Sequence, residues 1–324
     1  MDNITAAIAL PTAAEAMASA PVYDIYSVQF PPWWCFNFFL MIWCFGRVVE
    51  HLLAKTSMLN IGTKYKVLPW DKQRNVVVYV LQTIITTLAF VLQILGGIDI
   101  VFQRKDTTTE VRYSFMIVMA QLVFVLYTWE LIYRLKIGMP LLIHHIMTCL
   151  MTQLLAAALV DTFDVEYARL ATMLSFYATT EQTSFVALFC YRLDLFSKET
   201  QHSWFTVAAI QSIVVKSSIA IFSLVYFCVV FFVRKEADDQ PTNWKWFWKI
   251  CFIPLVLALF AAQLYTSQIL WQLRNKCSVE VRKSIVSSKK IDDDALNNGT
   301  DTNCREDSEN DDISVRVELF TIDV

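Results

Sequence analysis

Seven stretches of about 20 apolar residues, separated by short polar connections, constrain this 324-residue chain more than any motif does. They lie near 28–49, 75–96, 113–133, 140–160, 168–190, 207–233 and 247–271. Each matches the thickness of a bilayer's hydrocarbon core at about 1.5 Å per helical residue. In a soluble fold, seven such helices in a chain this short would leave no polar surface to cover them. Composition agrees, because only 18% of the residues are charged and the mean hydropathy is +0.44. The sequence therefore predicts an all-α polytopic membrane protein with about seven transmembrane helices. A net charge of -3 argues against a nucleic-acid partner.

The basic residues are distributed unevenly among the connections. Sixteen Lys and Arg fall on one set: six from Arg47 to Arg74, then Arg134 and Lys136, then Arg192 and Lys198, then six from Arg274 to Lys290. Seven fall on the other set, among them Arg104, Arg169 and Arg234. The positive-inside rule then predicts an extracytosolic N-terminus and a cytosolic C-terminus. Five parts are expected: an extracytosolic segment 1–27, a first span 28–49, a cytosolic connection 50–74, a membrane domain 75–272 and a cytosolic acidic tail 273–324. Trp33, Trp34, Trp244, Trp246 and Trp248 stand where an interfacial aromatic belt is expected. Ala18-Ser19-Ala20 resembles a cleavage site, but no basic n-region precedes it and Pro11 interrupts the apolar run, so the first span is expected to stay uncleaved.

Sequons at Asn3 and Asn298 fall on opposite predicted sides, so glycosylation at Asn298 would overturn the topology. The run from Asp292 to Asp312 holds nine acids and one base, Arg305, which is the composition of a disordered tail. Within it Ser308 suits an acidophilic kinase. The alternation of Val315, Val317 and Leu319 could add a strand to a partner's sheet edge. Six cysteines lie in apolar stretches and Cys277 and Cys304 in the C-terminal part, without CxxC or His spacing, so neither a disulfide framework nor a metal site is expected.

Polar residues inside spans are costly and mark the places to look for function. His144 and His145 follow Pro140 at the cytosolic start of the fourth span. His144, Thr148 and Thr152 share one helical face at i, i+4, i+8. An imidazole there can act as a base, a nucleophile or a hydrogen-bond donor, or it can simply be satisfied by backbone carbonyls or by Glu130. The fifth span carries an unusually polar run through Ser175, Thr179, Thr180, Glu181 and Gln182. Glu181 needs a cation to be tolerated there, and Lys216 in the sixth span is the natural candidate. Ser212, Gln263, Thr266 and Ser267 extend this polar lining. Glu130 and Arg134, spaced i, i+4, most simply neutralise each other.

Trp129-Glu130-Leu131-Ile132-Tyr133-Arg134, Pro140 through His144-His145-Ile146-Met147-Thr148, and Thr180-Glu181-Gln182-Thr183-Ser184-Phe185 together resemble the TLC-domain family, which includes the ceramide synthases. The likeness covers roughly 70–272. It implies six helices around a cavity, preceded by one further span, in the endoplasmic reticulum or early secretory pathway. The sequence departs from the synthases in the span after the paired His, where their His-Asp and second Asp are replaced by Tyr177-Ala178-Thr179-Thr180-Glu181-Gln182. In this respect it looks more like the non-synthase branches, linked to phospholipid composition, lipid trafficking or cargo handling.

Three functions follow as expectations. One is a protein of lipid homeostasis that binds or senses a sphingolipid or phospholipid in an intramembrane cavity, with Thr148, Thr152, Ser175, Thr179, Lys216 and Gln263 as the lipid-binding residues. Another is a ceramide-synthase-like acyltransferase in which His144 or His145 acts on acyl-CoA as co-substrate and Glu181 orients it. The third, a seven-span receptor, lacks an Asp-Arg-Tyr-like triplet, an Asn-Pro-x-x-Tyr and a pair of extracytosolic cysteines. No cofactor is expected. Membrane lipids are the expected partners, with homo- or hetero-oligomers and a protein bound to the tail as open alternatives.

Overall fold

A computed structural model of the chain describes residues 33–101, 110–162, 165–230 and 243–297. The described residues form a helical bundle without strands. Its elements are α1 (Trp33–Lys55), a 3-10 turn (Met58–Asn60), α2 (Ile61–Val67), α3 (Trp70–Val101) and α4 (Glu110–Tyr133). They continue with α5 (Met139–Thr162), α6 (Val165–Thr179), α7 (Gln182–Arg192), α8 (Lys198–Cys228) and α9 (Asn243–Asn297). Five of these helices contain segments long and apolar enough to cross a bilayer: Cys35–Lys55, Trp70–Ile98, Ser114–Tyr133, Lys198–Cys228 and Ile250–Lys283. The protein is a multi-pass membrane protein.

Helix boundaries follow local chemistry. The Ser197 hydroxyl accepts from the Thr200 N–H at the start of α8. Pro140 lies in the first turn of α5, where its missing N–H costs no helical bond. Between Pro254 and Gly299 there is neither Gly nor Pro, and α9 accordingly runs on to Asn297. The segment expected as a tail, 273–324, is thus helical over its first 25 residues, and the helix takes in the start of the acidic run at Asp292. Asn3, Asn298, Ser308 and the 313–324 alternation lie outside the described residues.

The fifth predicted span also differs from expectation. It is two helices, α6 and α7, interrupted at Thr180 and Glu181. Carbonyls at the break are taken up by nearby polar side chains: Gln182 Nε2 donates to Thr179 O at 2.6 Å and Gln211 Nε2 to Thr180 O at 3.4 Å. A break inside a packed helical bundle is tolerated where side chains satisfy its backbone in this way.

Two apolar clusters flank this break. One joins α1, α3 and α4 through Ile42, Val76, Leu81, Leu126 and Trp129. The other joins α5, α6, α8 and α9 through Met151, Leu170, Tyr177, Phe227, Phe252 and Val256. Helices α3 and α6 approach closely at Gly97, where a Cβ would stand 2.5 Å from Thr172 Cγ2. The connections predicted to share one side of the membrane meet at one end of the bundle. Lys64 Nζ donates to Asp194 O at 2.6 Å, Arg74 Nη1 to Tyr133 O at 2.9 Å, and Lys198 Nζ lies 3.5 Å from a Glu280 carboxylate oxygen.

Candidate functional site

Near this basic end, α3, α4, α5, α7 and α9 enclose a pocket of about 930 Å³, counted out to its mouth. Arg134, Gly138 and Pro140 line it together with Gln82, Glu130, His144, His145, Glu181 and Gln263.

Two buried ionic groups are built into this region. In the first, Arg134 Nε lies 2.7 Å from Glu130 Oε1, one turn along α4. His145 Nε2 approaches the same oxygen at 3.2 Å from α5, and Gln82 Nε2 of α3 donates to Glu130 Oε2. The Arg134 guanidinium also lies over the Tyr79 ring, 5.2 Å from its centroid. The expected local pair is therefore present, and two further helices are tied to it. Gln82 was not singled out from the sequence, although a signal existed. Gln82, Thr86 and Gln93 share one face of α3, at i, i+4 and i+11.

The second group joins the break to α8. Lys216 Nζ lies 3.0 Å from Glu181 Oε1, the pairing expected from the sequence. Lys216 is 1% exposed, and its Nζ sits 5.3 Å from the centroid of the Tyr177 ring. Tyr177 OH donates to the Lys216 carbonyl at 3.0 Å. Tyr127 connects the two ionic groups. Its hydroxyl points at Glu181 Oε2, 3.5 Å away, and its ring stacks on His145 with centroids 4.7 Å apart.

His144, His145 and Glu181 thus line one pocket, but no hydrogen bond joins Glu181 to either imidazole among the described residues. The carboxylate beside the histidine pair is Glu130.

The expected lipid-binding residues divide between two places. Gln263 lines the main pocket and donates to Ser212 Oγ at 2.7 Å. Thr148, Thr152 and Ser175 instead line a second, smaller pocket of about 390 Å³, with Met119, Leu174 and Tyr177. The hydroxyls of Thr148 and Thr152 donate back to the carbonyls of His144 and Thr148, at 2.8 and 2.7 Å. Thr179 is fully buried and lines neither pocket; it donates to Gln93 Oε1, while Gln93 Nε2 donates to Thr172 O at 2.7 Å. Lys216 also stands behind the pocket wall, holding Glu181. Among the described residues no three His, Cys, Asp or Glu side chains are grouped to hold a metal ion, and the seven described cysteines are free.

No family model, curated protein or solved structure matches the chain. Its function therefore has to be argued from the pocket itself.

Proposed function

We propose that this chain is a TLC-like protein of membrane lipid homeostasis that holds the headgroup of a membrane lipid in the pocket between α3, α4, α5, α7 and α9. The observation that carries this reading is a pocket in which costly polar groups, Glu130, Arg134, His145 and Glu181, are gathered rather than scattered. A polar lining next to apolar walls suits a molecule with a head and chains. Seven spans, an extracytosolic N-terminus, a cytosolic C-terminus and residence in the early secretory pathway belong to the same proposal. The asymmetry of basic residues and the meeting of the basic connections at one end support it.

Purification in mild detergent followed by lipid extraction tests this reading. One lipid class is expected to co-purify in stoichiometric amount without turnover. A preparation containing only bulk lipid in bulk proportions would count against it.

A second reading, acyl transfer from acyl-CoA, is favoured by two imidazoles that line the pocket with unpartnered Nδ1 atoms. In that case the carboxylate placed to orient a histidine is Glu130, at 3.2 Å from His145 Nε2. Ceramide and phospholipid profiles of cells carrying His144→Ala or His145→Ala decide it. Profiles that match the wild type while a null strain differs exclude catalysis by this pair.

A further inference from the structure

The connection between α1 and α3 presents a surface that neither the pocket nor the bundle core accounts for. The apolar segments of these two helices end at Lys55 and begin at Trp70, so with both crossing the bilayer the connection lies at one membrane face. Within it stand Met58 and Val67, 72% and 79% exposed, the two most exposed large hydrophobic side chains among the described residues. Exposure along a spanning helix is contact with lipid, but these two residues lie outside either span. Left in water, they would be held there at a cost with no return.

The fold fixes this presentation. The Gly62 N–H donates to Thr56 O at 2.8 Å, and a Cβ at Gly62 would stand 2.7 Å from that oxygen, so the start of α2 is set hard against the end of α1. Tyr65 is buried in the cluster that joins α1, α3 and α4, with Ile61 and Leu68 packed against it. Lys64 Nζ ties α2 to Asp194 O. With these contacts made, Met58, Leu59 and Val67 are left outside the core. Leu59 also holds a left-handed backbone, φ 51°, which is sterically unfavourable for leucine. A strained turn that exposes a leucine suits a segment whose apolar side chains enter lipid better than one that faces water.

The charge here is one-sided. From Arg47 to Arg74 there are six bases and two acids, Glu50 and Asp71. Glu50 is engaged by Arg47 and by the Tyr133 hydroxyl. Lys55, Lys66 and Lys72 are exposed and have no carboxylate partner among the described residues. Both ends of the connection are fixed at the membrane by α1 and α3, so the adjoining lipid is the phase at hand to cover it. We propose that the 56–69 connection is an interfacial anchor for anionic phospholipid. Met58, Leu59 and Val67 enter the boundary between headgroups and acyl chains, and Lys55, Lys66 and Lys72 meet the headgroup anions. This role is independent of what the main pocket holds.

The test uses the full chain in nanodiscs of mixed phosphatidylcholine and phosphatidylserine. The environment-sensitive fluorescent amino acid Anap, placed at position 67, is expected to emit as in an apolar medium and to be shielded from acrylamide. Spin-labelled phosphatidylserine is expected to enter the motionally restricted lipid shell of the wild-type chain about twofold more readily than spin-labelled phosphatidylcholine. The triple variant Lys55→Gln, Lys66→Gln, Lys72→Gln should remove roughly half of that excess, and exposed substitutions of this kind leave the fold intact. Quenching at position 67 as complete as for free Anap overturns the anchor and leaves the patch to a protein partner. Equal uptake of the two lipids by the wild-type chain, or a preference untouched by the triple variant, overturns the anionic headgroup as its ligand. None of these readouts involves the main pocket, so lipid binding there survives their failure.

Discussion

The two buried ion pairs hold the same charges in different ways. Glu130 and Arg134 are one turn apart on α4, so their contact forms as soon as that helix does. Glu181 and Lys216 are 35 residues apart, on a helix break and on α8, and meet only when the bundle closes. The side chain of Glu130 is wholly buried, whereas that of Glu181 is 11% exposed and lines the pocket. The first pair acts as a fixed post to which α3 and α5 are tied. The second closes the pocket wall where the backbone is least regular.

The largest expected effect comes from breaking the post. Arg134→Leu leaves the Glu130 carboxylate buried with only Gln82 and His145 beside it, and a loss of about 3–5 kcal/mol is expected. Thermal unfolding in detergent should show it as a collapse of folded yield. Lys216→Leu strands Glu181, but that carboxylate borders the pocket, so a smaller loss, about 3 kcal/mol or less, is expected in the same assay. Adding Glu181→Gln to Lys216→Leu should restore most of that stability, because no unpaired charge then remains. A double variant as unstable as the single one would show that the pair's role is packing.

Next in size is Gly97→Val. The added carbons meet Thr172 and Met116 at the α3/α6 approach, and overpacking of about 1–3 kcal/mol is expected from the melting temperature. It should spare the Glu130 cluster, which meets α3 at Gln82, about four turns away along the helix, so cross-linking between cysteines placed in α4 and α5 should be unchanged.

The smallest effect lies outside the membrane. Lys198 and Gln201 hydrogen-bond the Asp194 carboxylate and hold its pKa below the usual carboxylate value, with Lys64 adding to this. A depressed folded-state pKa stabilises above the unfolded value and is lost as the pH falls through the folded one. The contribution of Asp194 is thus present at neutral pH and fades below about pH 4. Asp194→Asn should flatten that acid limb and cost within about 1 kcal/mol at pH 7, as for an exposed pair. Asn also tolerates the left-handed backbone at this position, φ 45°. An acid limb of the same steepness in the variant would remove Asp194 from the account.

Much of this was legible in the linear pattern because the bilayer imposes it. Apolar runs of about 20 residues mark helices regardless of their neighbours, and the Glu130–Arg134 spacing makes contact along a single helix. Pairing Glu181 with Lys216 was also predictable, since a lone charge in each of two spans leaves few alternatives. The break in the fifth span was less legible. Its polar residues read as a helix face, but the carbonyls of Thr179 and Thr180 at the interruption are met by the amides of Gln182 and Gln211. Thr148 and Thr152 follow His144 along α5, yet they line the smaller pocket, one to two turns beyond His144, and not the one that His144 lines.

By itself the sequence determined that the fold is helical and multi-pass and which polar residues would be too costly to leave alone in lipid. Those follow from composition and helical periodicity, which are local. Only the tertiary structure decided that Glu130, rather than Glu181, stands beside the histidines and that Gln82 ties α3 to them. These outcomes depend on how helices rotate and pack against one another. A residue's place along its own helix states which face it occupies, but the neighbour that face meets is set by the rest of the bundle.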